Sequence, residues 1–169
     1  LPAEALEDAY RKVIRPDSPS LVENNRAFHR MLVDGVAVEY RDGEGRLRNG
    51  HAWLVDFDRV EANDWLAVNQ FTVVEGQHNR RPDIVVFVNG LPLVFIELKA
   101  GAKDAHAAFH GNFRDYKSAV PQFFHANAVV IVSNGLDNRV GSVTGAWEHF
   151  KEWKRLMKTP PNNQVQREV

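Results

Sequence analysis

Two almost unbroken apolar runs, Ile84 to Val88 and Leu93 to Leu98, lie close together in the chain, joined by Asn89-Gly90-Leu91-Pro92. β-Branched residues dominate the first and recur in the second, and an Asn-Gly step between such apolar runs is a strong hairpin signal. A strand with one face in water alternates polar and apolar residues. These runs do not alternate, so they read as strands covered on both faces. That requirement implies a sheet with helices on either side and a sizeable core. With 44% hydrophobic residues in 169, the chain can build one such domain.

The remaining segments supply the cover. LPAEALEDAYRKVI, residues 1–14, reads as an amphipathic helix. Ser20 and Glu23 stand at capping-box spacing before a helix expected over Leu21 to Val33, with Ala27, Phe28, Met31 and Leu32 on one face. A half-buried strand follows at Val36 to Tyr40, then a turn at DGEGR, residues 42–46. Further strands are expected near Ala52 to Phe57 and, after an Asn63-Asp64 turn, near Leu66 to Val74. Beyond Gly101 the period becomes helical, with Ala105, Ala108, Phe109, Phe113 and Tyr116 sharing a face until Pro121. A short strand at Ala128 to Val132 and a last amphipathic helix at Ala146 to Met157 complete the chain. The order indicates an α/β (α+β mixed) domain: a central mixed β-sheet flanked by helices.

Composition narrows the function classes. The 21 basic and 22 acidic residues nearly cancel, leaving a formal charge of −1, which excludes a basic nucleic-acid coat protein or a polybasic membrane binder. No apolar run approaches the roughly 20 residues of a spanning helix. Cys is absent, which excludes disulfides and thiol catalysis and suits the cytoplasm. The polar, proline-broken TPPNNQVQREV at 159–169 reads as a linker, so a longer parent polypeptide is expected.

Three charges interrupt the apolar runs. Asp83 precedes the first strand, and Glu97 and Lys99 share one face at the end of the second. Both carboxylates lie at the end of the hairpin away from its turn. For Asp83 to face Glu97 the hairpin needs an odd-numbered loop or a bulge, which the sequence leaves open. Two carboxylates converging in a poorly solvated place repel each other unless a cation neutralises them. Hard divalent ions such as Mg²⁺ take such oxygen ligands and keep positions for water and phosphate. An adjacent ammonium then completes the apparatus of metal-assisted phosphodiester hydrolysis. The competing reading is an edge-of-sheet salt bridge of Glu97 with Lys99 or Arg81. As a strand-edge charge, Lys99 is expected to be replaceable by Ala at little cost in stability.

Pro82-Asp83, thirteen intervening residues and Glu97-Leu98-Lys99 match the PD-(D/E)xK nuclease motif. In its context, NQFTVVEGQHNRRPDIVVFVNGLPLVFIELK at 69–99, the chain resembles the N-terminal endonuclease domain of type I restriction enzyme R subunits. NNRAFHRMLVDGVAVEY (24–40), DFDRVEANDW (56–65), VVIVSNG (129–135) and VGSVTGAWEHFKEWK (140–154) carry the same likeness. The resemblance implies a restriction-endonuclease-like core over about 20–155 within a nuclease domain at 1–158, with 159–169 leading toward a motor domain. It implies that Asp83, Glu97 and the backbone carbonyl of Leu98 hold Mg²⁺, or Mn²⁺, and that Lys99 orients or deprotonates water and stabilises charge on phosphate. The family's Q-x-x-x-Y motif reads Asn112-Phe-Arg-Asp-Tyr116 here, one methylene shorter at its first position, and Ala100 stands where Asn commonly follows the Lys. An acidic residue from the first helix is also common, with Glu23 the candidate against its plainer capping role.

The implied activity is Mg²⁺-dependent cleavage of double-stranded DNA. Methyltransferase and specificity subunits are the implied partners, no membrane is involved, and ATP is used only through the motor domain. A non-catalytic docking domain of the same complex and a stand-alone repair or resolvase-type nuclease are the alternatives. Arg80, Arg81, Asn112 and Tyr116 are candidate DNA contacts, with Lys103, Arg114 and Lys117 as further local basic charges. His106 and His110 have helical zinc spacing but lack the Glu of H-E-x-x-H. Asp56 and Asp58 share an expected strand face and are a second, weaker metal candidate. No phosphate-binding loop or G-x-S-x-G elbow occurs.

Overall fold

The computed structural model describes residues 1–100, 106 and 109–153. Helices α1 (Ala3–Ile14) and α2 (Leu21–Asp34) open the chain, followed by a small hairpin of β1 (Val36–Arg41) and β2 (Leu47–Ala52). β3 (Trp65–Asn69) leads to a second small hairpin, β4 (Val73–Glu75) and β5 (His78–Arg80), and then to the long pair β6 (Ile84–Val88) and β7 (Leu91–Leu98). A π-helical turn at Phe109–Phe113 runs into α3 (Arg114–Ala119). β8 (Val129–Ser133), β9 (Asn138–Gly141) and β10 (Lys151–Glu152) follow.

Six strands form one sheet in the order β10-β9-β8-β7-β6-β3, with β7 and β8 parallel and the other pairs antiparallel. This is the mixed sheet with flanking helices that the apolar runs demanded. β6 and β7 are both interior strands, each paired on its two sides, and helices cover the sheet, which is why neither alternates. Phe95 of β7 centres a buried cluster with Phe109, Phe113, Tyr116, Phe124, Val130, Val132 and Phe150. Leu93 and Val94 belong instead with Phe28 and Leu32 of α2. Asn25 of α2 docks that helix through its side-chain amide, which donates to the carbonyls of Phe124, His125 and Asn127 at 3.3, 3.1 and 2.7 Å.

The hairpin turn is tighter than the four-residue connection expected. Asn89 (φ +51°) and Gly90 (φ +80°) alone make it, both left-handed as a type I′ turn requires, and Leu91 already pairs with Val88. Pairing continues to Phe87 with Pro92, then shifts: Val86 faces Val94, and Leu93 is left over as a bulge. The bulge accommodates Pro92, which has no N–H for a ladder. It also sends the successive side chains of Leu93 and Val94 to the same cluster. From there Val85 faces Phe95 and Ile84 faces Ile96. One step further, the same register puts Asp83 opposite Glu97.

Several expectations need correction. No strand forms over the expected Ala52 to Phe57: β2 lies before it at Leu47–Ala52, and Asp56 is engaged in a polar turn with Arg59 and Asn63. The strand expected to reach Val74 stops at Asn69, where Gln70 turns left-handed, and Val73 starts a separate hairpin. The last helix does not form over its described part. Trp147–His149 is a single 3-10 turn, and Lys151–Glu152 pairs with β9. Phe150 explains the override: it enters the aromatic cluster and packs on Gly141, where a Cβ would stand 2.6 Å from its ring. The helix expected after Gly101 is α-helical from Arg114 and π-helical before it; Ala105, Ala108, Lys103 and residues 154–157 lie outside the described residues. No helix among the described residues is long and apolar enough to cross a membrane.

Candidate active site

At the open end of the β6–β7 hairpin the bulge-set register brings the predicted triad together. Asp83 leads into β6, and its Oδ2 accepts the backbone N–H of Leu98 at 2.8 Å, so its carboxylate reaches across to β7 beside Glu97. Glu97 projects onto the same face as Phe95 and is only 1% exposed. Its Oε1 accepts from Lys99 Nζ at 3.0 Å and from Asn112 Nδ2 at 2.6 Å. Its Oε2 is buried with no hydrogen-bond partner among the described residues. Burial pushes the Glu97 carboxyl up, the hydrogen bonds from Lys99 and Asn112 hold it down, and the charge of Asp83 pushes it up again.

Lys99 is not the solvated strand-edge charge expected. Its side chain is 21% exposed and forms an ion pair with a carboxylate that is almost wholly buried. The edge salt bridge weighed against a metal site therefore does form, with Lys99 and not with the exposed Arg81. It satisfies one oxygen of Glu97 and leaves the other open.

The Asn112 amide spans the gap to Glu97 in spite of its shorter stem, from within the π-helical turn that a regular helix would not contain. One turn on, the Tyr116 hydroxyl donates to the Arg81 carbonyl at 3.4 Å. Its phenol is pushed up to about 12, first by burial and then by the charges of Glu97 and Asp83. Both polar members of the altered motif thus face the triad.

Arg80 is committed elsewhere. Its guanidinium makes a two-point ion pair with Asp115 at 2.6 and 3.1 Å, tying β5 to α3 and holding the Asp115 carboxyl below its usual range. Arg81 and Arg114 are exposed. Lys117 lies over the rings of Phe113 and Phe109 and donates to the Val143 carbonyl, so it braces the core. Glu23 is only half of a capping box. Its N–H donates to Ser20 Oγ at 3.4 Å, but its carboxylate accepts from Ser18 Oγ and lines a cleft with Lys12 and His125. Asp56 binds Arg59 in a turn. The His106 and His110 rings lie 4.2 Å apart and contact the Trp147–Phe109 aromatic group.

Sequence reasoning missed Gln70. Its side-chain amide donates to Asp83 Oδ1 at 3.1 Å, and its φ of +52° is the signal that local geometry is special there. No sequence pattern announces either feature.

The donor set suits a hard divalent ion. It offers two carboxylates on one face, one with a buried oxygen that has no partner among the described residues. Among the described residues no group of three or more His, Asp or Glu gathers to hold a metal unaided. Water, phosphate or backbone oxygen would have to complete a shell, as Mg²⁺ sites commonly allow. The second buried unpartnered atom, Asn127 Oδ1, is neutral, and its own amide nitrogen bonds the Leu93 and Val129 carbonyls.

A family model and several known proteins match this chain. Residues 2–149 match the family described as type I restriction enzyme R protein N terminus. The HindI type I restriction enzyme endonuclease subunit of Haemophilus influenzae is 36% identical over 159 residues, 91% of this chain and 15% of that protein. A Methanocaldococcus jannaschii protein named as the MjaIXP endonuclease subunit is 33% identical over 156 residues, 86% of this chain and 14% of that protein. The EcoprrI endonuclease subunit of Escherichia coli is 30% identical over 143 residues, 80% of this chain and 44% of that protein. The chain thus spans about one seventh of the length of the first two relatives. With the family matched across nearly its whole length, this chain belongs to the type I restriction enzyme R protein N-terminal family.

Proposed function

We propose that this domain is the Mg²⁺-dependent endonuclease of a type I restriction R subunit and hydrolyses phosphodiester bonds of duplex DNA. The observation that carries the reading is the buried, unpartnered Oε2 of Glu97, on the face it shares with Asp83 and beside Lys99. A structural ion pair gains nothing from an open carboxylate oxygen, since an unpaired buried polar group costs about 1–3 kcal/mol and a charged one more.

Asp83 and Glu97 would hold the cation, with the Leu98 carbonyl as a further oxygen. When bound, Mg²⁺ (or Mn²⁺) supplies Lewis-acid polarisation of the phosphate and acidifies water. Asp83 is held by the Leu98 N–H, and Glu97 is held by Asn112 and Lys99 through one oxygen, which leaves its other oxygen free to ligate. Lys99, held beside Glu97, would orient or deprotonate the attacking water and stabilise negative charge on the phosphorane. In the overall reaction water adds to phosphorus, one P–O ester bond breaks, and a proton ends on the leaving oxygen.

Exposed Arg81 and Arg114 are the DNA-backbone contacts in this reading; Arg80 acts by fixing β5 against α3. The partners are duplex DNA and the methyltransferase and specificity subunits. ATP is turned over by a motor domain elsewhere in the R subunit, and the complex works in the cytoplasm. The test is cation-dependent stability. Mg²⁺ at a hundredfold its Kd stabilises the chain by about 2.7 kcal/mol. Asp83→Ala and Glu97→Ala each remove that gain and abolish cleavage. Equal melting shifts in wild type and both variants would place the ion elsewhere and favour a docking role.

A further inference from the structure

We infer that Gln70 is a positioning residue for the Asp83 carboxylate and so sets the affinity of the site for its divalent cation; the inference rests on the cation-dependent reading above. β3 pairs with β6 so that Asn69 faces Ile84, which makes Gln70 and Asp83 the next pair. The Gln70 backbone N–H donates to the Asp83 carbonyl at 2.8 Å. Its side-chain Nε2 donates to Asp83 Oδ1 at 3.1 Å. With the Leu98 N–H on Oδ2 at 2.8 Å, each oxygen of Asp83 receives one donor, and the plane of the carboxylate is fixed.

The backbone of Gln70 carries an independent signal. Its φ of +52° lies in the left-handed region, which few residues other than glycine, Asn and Asp adopt. Such conformations persist where the surroundings over-determine them, and they cluster at functional sites. Gln70 is exposed, so its own packing does not hold it. What holds it is the pair of bonds to Asp83 on one side. On the other is Phe71, whose ring meets Phe87 at 5.2 Å and Phe123 at 6.2 Å. The left-handed turn ends the β3 ladder at this point, sends Phe71 into those rings and leaves the carboxamide on Asp83.

The chemistry follows from the lone pairs. A carboxylate oxygen accepts two hydrogen bonds or metal contacts, so one amide donor on Oδ1 orients the group and still leaves room for a cation. A rotating Asp83 would have to be ordered on binding, and a fixed one would not. Partners that orient ligating carboxylates are typically worth about 10–100-fold in metal affinity or activity. Gln70 acts on affinity because it touches the ligand and not the reacting phosphate.

The test uses Gln70→Gly, which keeps the backbone donor and suits the positive φ while deleting the exposed side chain with its carboxamide. Gln70→Asn, which tolerates the same backbone but has a shorter reach, is the graded companion. Mn²⁺ binding to the chain without DNA is measured by calorimetry, and cleavage by the assembled complex is measured against Mg²⁺ concentration. Gln70→Gly is expected to weaken Mn²⁺ binding about 10-fold and to raise half-saturating Mg²⁺ by a similar factor. Excess Mg²⁺ restores its cleavage, its metal-free melting temperature does not fall, and Gln70→Asn lies between it and wild type. Wild-type Mn²⁺ affinity in Gln70→Gly, or a cleavage loss that excess Mg²⁺ does not restore, overturns the inference. Asp83→Ala separates the two failures. If Asp83→Ala loses Mn²⁺ binding and Gln70→Gly does not, only the role of Gln70 falls. If Asp83→Ala binds Mn²⁺ like wild type, the cation site itself is wrong.

Discussion

The two ends of the β6–β7 hairpin are built from the same pair of strands and treat polar groups in opposite ways. At the turn, Asn89 uses its side chain completely: Oδ1 accepts the Asp64 N–H at 2.8 Å, and Nδ2 donates to the Leu54 carbonyl and to Asn63 Oδ1, both at 2.9 Å. Asn63 in turn closes on Asp56 and Val60. At the open end, two carboxylates share a face, one of them is buried, and one of its oxygens has no partner among the described residues. Fully satisfied networks rigidify a fold, whereas a half-satisfied one costs stability and persists where it serves something else. The turn end specifies the structure, and the open end gives up part of that stability by leaving a buried carboxylate oxygen open.

This contrast can be broken by experiment. The largest effect is expected at the open end. In the assembled enzyme with Mg²⁺, Lys99→Ala should lower cleavage by about 10²–10³, the usual cost of losing one transition-state charge contact. ATP turnover, followed in parallel, should stay near wild type. A variant that cuts at nearly the wild-type rate would make the open end structural as well. Lys99→Ala should also lose stability beyond the ±0.5 kcal/mol usual for surface charges, because it strips a partner from a carboxylate that is 1% exposed.

Next comes the turn. Asn89→Ala deletes three side-chain hydrogen bonds and puts Ala at a positive φ, so it should cost about 1–3 kcal/mol in denaturant unfolding. The Mg²⁺-induced stabilisation should survive intact, and its loss would show that the two ends are coupled.

The smallest and sharpest effect is a pH dependence. The folded state raises the Glu97 carboxyl above its ordinary 4.5. Between those two values the native chain binds the extra proton, so stability falls as pH rises through that window, and ionised Glu97 carries the full cost above it. Glu97→Gln removes the charge and keeps an acceptor oxygen. Without metal it should melt above wild type at neutral pH, each kcal/mol recovered reading as roughly 2–4 °C. The gap should close as pH falls toward 4.5, and Mg²⁺ should reverse the ranking. A metal-free wild type that melts higher at neutral pH would mean that Glu97 is fully satisfied.

Much of the site was legible because strand periodicity is a local rule. Glu97 and Lys99 had to share a face, and Asp83 had to lie at the same end of the hairpin, whatever surrounded them. Asn112 was legible as a position and not as a contact, since its reach depends on a π-helical turn that helical periodicity does not foresee. The segment from Trp147 misled for the opposite reason. Its apolar spacing is helical, but the aromatic cluster needs Phe150 and the edge of β9 needs a partner, and both gains are non-local.

The amino-acid sequence by itself determined which strands are interior and which charges stand at their ends. Those properties depend on neighbours one to four residues apart and on the cost of burying charge. Only the tertiary structure decided that Asp83 faces Glu97, because that register hangs on the single residue Leu93 bulging from β7 to accommodate Pro92 and the core. It alone also decided that Glu97 is buried with one oxygen open, and that Gln70 turns left-handed to hold Asp83. Burial and hydrogen bonds between distant segments are set by how the layers pack, and no local pattern encodes them.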